Sequence, residues 1–134
     1  MRASRRLLLL AGLALAGGCA GQGRDPQAQG RTYTTWFYQR DFAPLWARFS
    51  PEMKQTFPTP DALASFAGAT VNGLGAERGA PEERLSRQDS LTVYSRVATF
   101  ERSAHRMLLQ WTLTPDGTVT GFMLRPAGDS LPPG

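Results

Sequence analysis

The hydrophobic pattern of the chain changes period near residue 80, and this change limits the possible folds more than any other feature. Between residues 32 and 74, large apolar side chains recur every three or four positions, as on one face of a helix. Between residues 91 and 125, apolar and polar residues alternate, with many β-branched and aromatic residues, as in half-buried strands. Helices followed by an antiparallel meander predict an α+β domain in which the helices pack on one face of a curved sheet.

Capping residues mark where the predicted helices begin. Ser50 and Thr59 each precede a proline, which is tolerated in a first helical turn because its missing N–H would have no partner there. Asp41 precedes Phe42 and is interpreted as a third N-cap. We predict one helix over 32–40, one after Asp41, a short one over 51–57 and one from residue 60 to about 73.

Four strands are predicted in the second half, over 84–89, 91–101, 105–114 and 118–125. Pro115-Asp116-Gly117 is a strong turn signal between the last two, because proline presets φ and glycine accepts a positive φ. In the third strand, the alternation predicts that Met107, Leu109, Trp111 and Leu113 share one face. The most buried positions are predicted to include Trp46, Phe49, Phe66, Leu109 and Trp111.

The N-terminus has the pattern of an export signal that ends at the only cysteine. Three arginines, at positions 2, 5 and 6, precede an unbroken apolar run over 7–16, and two glycines then lead to Cys19. The pattern resembles a bacterial lipobox, although Ala16 stands where leucine is usual. The resemblance implies that Cys19 receives a diacylglyceryl group and becomes the new N-terminus. The apolar run is well short of the ~20 residues that span a bilayer.

The signal reading predicts an exported protein anchored by lipid to the cell envelope, through either the general or the twin-arginine export route. An ordinary secretory signal is the alternative, but it would leave Cys19 as a free thiol in an oxidising compartment. Cleavage before Cys19 removes 18 of 134 residues, leaving 116, and the loss of three arginines lowers the formal charge from +4 to +1. The remaining arginines are scattered, so no nucleic-acid surface is predicted. We divide the chain into a signal (1–18), a flexible tether (19–30), one domain (31–126) and a disordered tail (127–134).

Two segments resemble the small nuclear transport factor 2-like domains. The stretch 40–54, with its Phe-Ser-Pro-x-Met sequence, is similar to their helical opening, and 113–126, with Asp-Gly-x-Val-x-Gly-Phe-x-x-x-Pro, to their final hairpin. The resemblance implies a cone-shaped fold. It also implies an exported domain of the kind often found ahead of a serine hydrolase or a β-lactamase-like domain, so an envelope protein of that kind is a possible partner. A dimer is possible as well.

The cone shape implies a pocket between the helices and the sheet. By this resemblance, the aromatic residues that would line it and could contact a ligand are Trp36, Trp46 and Trp111. Most large rings in so small a domain are expected to be core instead.

Catalytic motifs are scarce in this sequence. There is no Gly-x-Ser-x-Gly elbow, one histidine and one cysteine are too few for most zinc sites, and no cofactor is predicted. We therefore expect a non-catalytic binding or accessory module for a partner protein or a small apolar ligand. The alternative is a small isomerase or cyclase that uses Asp41 or His105 in the pocket, since some members of the family that the chain resembles isomerise small molecules with such residues.

Overall fold

A computed structural model describes residues 25–128, which form four helices followed by four strands. The predicted α+β class is confirmed at this level. The signal, Cys19 and the end of the predicted tail (129–134) lie outside the described residues. The elements are α1 (Pro26–Tyr38), α2 (Phe42–Ala47), α3 (Pro51–Thr56), α4 (Pro60–Leu74), β1 (Glu77–Gln88), β2 (Leu91–Phe100), β3 (Met107–Leu113) and β4 (Val119–Pro126).

The first helix begins earlier than predicted, so residues 26–30 belong to α1 and not to a tether. Its start carries the same signal as the later helices: the Asp25 carboxylate accepts a hydrogen bond from the Gln27 N–H at 3.0 Å, and Pro26 fills the first turn. The polar composition of this stretch concealed the helix, because its buried positions include the small Gly30 as well as Tyr33 and Phe37.

The end of α1 and the start of α2 correct the prediction for Asp41. Arg40 adopts a left-handed conformation (φ 60°), and the Asp41 N–H donates back to the Trp36 carbonyl at 2.8 Å, as at a Schellman-type helix end. Asp41 then stands at the N-cap position of α2, but its side chain makes no capping hydrogen bond. The other two predicted caps are confirmed: Ser50 accepts from the Met53 N–H and Thr59 accepts from the Ala62 N–H.

The four strands form one antiparallel sheet in the order β1-β2-β3-β4. The strand β1 is longer than the predicted 84–89 because its first half, from Glu77, also pairs with β2, beyond a register shift between Arg78 and Glu82. The first half of β1 was not predicted from the sequence because it contains Gly79 and Pro81, which are typical of irregular strands. A second shift, between Thr112 and Leu113, falls in the pairing of β3 with β4.

The core lies between α1, α2 and α4 and one face of the sheet. Its sheet side is formed mainly by Tyr94, Leu109, Trp111 and Leu113, which confirms the predicted burial of Leu109 and Trp111. Phe49 is also buried as predicted. Trp46 is only partly buried, and the prediction for Phe66 is wrong, since 53% of its surface is exposed.

Side-chain and backbone bonds connect the helices to the β3–β4 turn. The Tyr33 hydroxyl donates to the Gly117 carbonyl at 2.5 Å, and the Arg48 guanidinium bonds both the Tyr33 oxygen and the Asp116 carbonyl. Residues 48–50 also pair with Val119 at the start of β4. These bonds hold the first residue of β4 against the helical layer. None of the helices in the described range is long and apolar enough to cross a membrane.

Candidate functional site

An apolar groove lies between α4 and the β3–β4 side of the sheet. Its volume is about 380 Å³. This lies within the range of small-molecule sites, which begins at about 300 Å³. The groove is lined by Phe37, Phe66, Thr70, Met107, Phe122, Met123, Leu124, Arg125 and Pro126.

The side walls of the groove expose apolar surface that the core does not use. Phe66 is 53% exposed and Met123 is 37% exposed. The helix α4 packs mainly against α2 and α1, and its buried residues are Leu63, Ala67 and Val71. The flank that carries Phe66 lies outside this buried stripe. The Phe66 ring is thus an exposed apolar surface beside the groove, whereas Met123 pairs with Gln110, so its side chain lies on the opposite face of the sheet from Phe122.

The floor of the groove is made of packed aromatic rings. Phe122 lies 5.2 Å from Phe37 and 4.6 Å from the buried Trp111, measured between ring centroids. Tilted ring pairs at these distances are mutually attractive, and Trp111 is held in turn by the core. The floor is therefore preformed, and a bound apolar group would meet a fixed surface.

A larger cleft, of about 460 Å³, lies where α1 and α4 end, and it is less suited to binding. Three of its four charged side chains have partners within the protein. Arg102 donates to the Asn72 carbonyl at 2.6 Å, Glu101 accepts from the Ala76 N–H, and Glu77 forms an ion pair with Arg96. A ligand would have to displace these bonds, whereas the apolar groove offers surface that only water covers.

A polar network, here called the polar brace, connects α1 to β1 and β2. Arg31 on α1 bonds the Glu83 carboxylate through Nε and Nη2, at 2.9 and 2.8 Å. The Tyr94 hydroxyl donates to the same carboxylate at 2.6 Å, Arg96 donates to the Tyr94 oxygen, and Arg96 also bonds both oxygens of Glu77.

The charge states of the polar brace suit a structural role. Hydrogen bonds from Arg31 and Tyr94, opposed by partial burial, lower the pKa of Glu83 to about 2. Burial and the bond to Glu83 raise the pKa of Tyr94 to about 12. Burial, with the Glu77 carboxylate close by, also raises the pKa of Tyr38. At neutral pH, Glu83 is therefore ionised and both phenols are protonated, so neither tyrosine is poised to act as a base.

The polar brace makes the stability of the domain depend on pH in the acidic range. Because the folded-state pKa of Glu83 (about 2) lies below its ordinary value of 4.5, its contribution is complete above pH ~5 and is lost as pH falls toward 2. We expect urea-unfolding midpoints to fall from pH 6 to pH 3, and Glu83→Gln to be less stable at pH 6 with a flatter pH profile. Glu52→Gln, an exposed helix residue, is the control. Parallel pH profiles for Glu83→Gln and the parent would contradict this prediction.

The structure places the three predicted tryptophans in different environments, and none of them lines the groove. Trp111 is 1% exposed and its indole N–H donates to the Thr34 hydroxyl at 3.0 Å, so it is a core residue. The Trp46 indole N–H donates to the Phe57 carbonyl at 2.7 Å, with the Lys54 ammonium over its ring. Trp36 packs against Tyr33 and lines a shallow surface depression on α1.

The two residues of the enzymatic alternative are both exposed. Asp41 lies in the short connection between α1 and α2, and His105 lies in the turn between β2 and β3. Neither belongs to the lining of the apolar groove or of the larger cleft. Within residues 25–128, no three side chains of histidine, cysteine, aspartate or glutamate are grouped so as to hold a metal ion.

None of the residues that the sequence suggested as ligand contacts lines the groove. The apolar spacing of α4 predicts that Phe66 belongs to the core, but the buried positions of that helix are Leu63, Ala67 and Val71, spaced four apart. Phe66 and Thr70 form a neighbouring stripe, also four apart, which the strict spacing could have separated from the core. In β4, the run from Phe122 to Leu124 gave the second signal, because three successive apolar residues place side chains on both faces of a strand.

No protein-family model, curated protein or solved structure matches this chain.

Proposed function

We propose that the protein is an exported lipoprotein, anchored to the envelope through Cys19, whose folded domain is a non-catalytic module that binds an apolar ligand in the groove. The observation that carries the binding role is the exposed apolar surface of Phe66 beside a preformed aromatic floor. In a monomeric domain, such surface is usually retained because it contacts a ligand or partner.

The nuclear transport factor 2-like assignment is part of the same proposal. It is supported by the two sequence segments that resemble those domains and by the order of elements, with helices before an antiparallel sheet. Fold resemblance alone does not specify a ligand, so the binding role depends on the groove and not on the family. A segment of an envelope protein is the other candidate occupant.

The anchor is tested by replacing Cys19 with serine. The parent is expected to sediment with membranes, and its N-terminal peptide to carry a diacylglyceryl mass. The corresponding peptide of Cys19→Ser should carry no lipid mass, because serine has no thiol to receive the diacylglyceryl group. Equal partitioning of the two proteins, without a lipid mass in the parent, would contradict the prediction.

The groove is tested with an apolar fluorescent probe, N-phenyl-1-naphthylamine, on the mature Cys19→Ser protein (residues 19–134), which carries neither the lipid nor the apolar signal run. We expect saturable binding, and an affinity loss of about tenfold in Phe66→Ala, because one partly exposed ring contributes about 1.5 kcal/mol of contact. Leu85→Ala is the matched control, since Leu85 is 40% exposed on β1 and does not line the groove. Equal probe affinities for both variants and the parent would show that the probe binds elsewhere.

The enzymatic alternative has less support. A general base needs a substrate within reach and a second group that orients it or stabilises charge. Asp41 and His105 are exposed and line neither cavity described above. No observation in residues 25–128 favours either residue as a catalyst.

A further inference from the structure

We infer that the lipid anchor fixes which end of the domain faces the bilayer, so that the apolar groove opens away from the membrane and takes its ligand from the aqueous compartment. This inference rests on the anchor and the groove of the proposed function and specifies the source of the ligand. It follows from the direction of α1, from the position of the groove and from the length of chain between Cys19 and the first helix.

The helix α1 runs alongside β2 from one end of the sheet to the other. In the first half of α1, Gly30 lies against the ring of Tyr94, in the first half of β2. The rings of Tyr38 and Phe100, which are the last residues of α1 and β2, are 5.6 Å apart. The two elements therefore point in the same direction, and the N-terminus of α1 lies at the end of the sheet where β2 begins.

This end of the domain, here called the anchored end, also carries the β1–β2 and β3–β4 turns (residues 89–90 and 114–118). Pro26, the first residue of α1, shares a shallow depression with Thr92, the second residue of β2. The Gln29 side chain lies against Gly117 in the β3–β4 turn. The chain that leads to Cys19 therefore joins the domain beside these two turns.

The groove lies toward the other, far end of the sheet. Met107 and Pro126, which line it, are partners where β3 begins and β4 ends. Phe37, also in its lining, is the last residue but one of α1. Because an α-helix rises about 1.5 Å per residue, Phe37 lies about 16 Å along the helix axis from Pro26. Most of the length of α1 therefore separates the groove from the anchored end.

The chain between Cys19 and α1 is too short to let the domain turn over. Six peptide links separate Cys19 from Asp25, the cap of α1. Fully extended, a chain of that length reaches about 20 Å. A compact domain of about 100 residues has a radius of gyration of about 13 Å, and therefore a diameter of about 33 Å. If the far end were pressed on the bilayer, the start of α1 would stand about one diameter from the membrane, which exceeds the reach of the chain.

The anchored end is polar, so that the chain and not an apolar contact holds it near the bilayer. The exposed residues of its two turns are Asp89, Ser90, Pro115 and Asp116. None of them offers a large apolar group for insertion, and two are carboxylates, which an anionic head-group surface repels. Without the lipid, the domain is therefore expected to leave the membrane.

The test uses the mature, lipid-bearing protein in phosphatidylcholine vesicles that contain a head-group nitroxide lipid, which quenches nearby fluorophores. Because the lipid blocks the only cysteine of the chain, an introduced cysteine is the only free thiol and can be labelled with bimane. Ser90→Cys reports on the anchored end, Ala104→Cys on the β2–β3 turn at the far end, and Ala69→Cys on α4 beside Thr70 of the groove. All three positions are exposed.

We expect the nitroxide lipid to quench the label strongly at position 90 and to leave the emission at positions 104 and 69 unchanged. The reason is that β2 alone separates the first two labels by about 30 Å. The Ser90→Cys variant of the mature Cys19→Ser protein is the control, and its label should not be quenched, because this protein carries no lipid.

Lengthening the chain tests whether its reach sets the orientation. About twelve Gly and Ser residues inserted between Gln22 and Gly23 extend the reach to about 60 Å, which lets the domain turn over. The label at position 90 should then be quenched less and the label at position 104 more. An unchanged pattern would show that the anchored end binds the bilayer by itself, which overturns the role of the anchor.

Mass spectrometry of the N-terminal peptide separates this inference from the proposed function. If the parent carries no lipid and the vesicles do not retain it, the anchor is wrong and this inference falls with it. If the lipid is present but positions 90 and 104 are quenched equally, the anchor stands and the orientation is overturned. Equal quenching at positions 90 and 69 would place the groove against the bilayer, which overturns the aqueous source of the ligand. The titration with N-phenyl-1-naphthylamine tests the groove independently.

Discussion

Replacing Gly30 by alanine is expected to destabilise the domain by about 2–3 kcal/mol, although alanine is the better helix former. Gly30 lies in α1 directly against the Tyr94 ring, and an added Cβ would lie 2.6 Å from both Cδ atoms of that ring and closer still to Cγ. Tyr94 is fully buried and is held by the polar brace, so the ring cannot move away. The helix would have to lift from the sheet. Urea unfolding of the purified variant measures the effect.

Gly68→Ala provides the control for the backbone effect of the same substitution. Gly68 lies within α4, and an added Cβ there meets nothing within 4 Å. This variant should be more stable by about 0.5–1 kcal/mol, because alanine loses less conformational entropy in a helix. If both alanine variants were stabilised, α1 would not approach the sheet as closely as described, and the packing of α1 on Tyr94 would have to be revised.

Truncating Trp111 to alanine is expected to cost about 3–5 kcal/mol, a large share of the stability of a domain of this size. The ring is 1% exposed and packs against Phe37, Phe122 and Tyr33, and its N–H donates to the buried Thr34 hydroxyl. Removing it leaves a large void beneath the groove as well as a lost hydrogen bond. We therefore expect partial or complete unfolding at room temperature, which near-ultraviolet circular dichroism would detect.

Trp36→Ala is the matched control, because Trp36 is only partly buried on the outer side of α1. Its loss should cost about 1 kcal/mol, as for an incompletely buried side chain. A cost below about 1 kcal/mol for Trp111→Ala would mean that this face of β3 is not the core face. The helical layer would then have to lie on the opposite side of the sheet.

Local chemistry determined most of the secondary structure, and it could be predicted for that reason. A hydroxyl followed by proline starts α3 and α4 as predicted, since the cap and the proline act within a single turn. The same kind of signal, Asp25 before Pro26, starts α1, where the polar composition concealed the helix. The turn at Pro115-Asp116-Gly117 forms where predicted, with Gly117 at φ 86°. The alternation in β3 placed Leu109 and Trp111 on the core face, because successive side chains of a strand point in opposite directions.

Tertiary contacts decided what the local pattern could not. Asp41 has the right residue type for a cap, but the Schellman-type end of α1 fixes the backbone before it and leaves its side chain without that bond. The local sequence around Gly30 predicts a flexible tether. Glycine is required at this position because the Tyr94 ring, 64 positions away, lies against it. Arg31 and Glu83, 52 positions apart, become partners because α1 packs against the sheet.

The candidate site was decided in the same way. Phe66 and Phe122 are both apolar, and neither residue alone indicates whether it is core or surface. The outcome depends on where α4 stands relative to the edge of the sheet: the helix packs on α1 and α2, so Phe66 extends past the core and meets β4 across the groove. The type of a residue determines how much free energy its side chain gains when it is buried away from water. Which side chains are buried within the domain, and which stay exposed for a ligand, depends on how elements far apart in the chain are arranged.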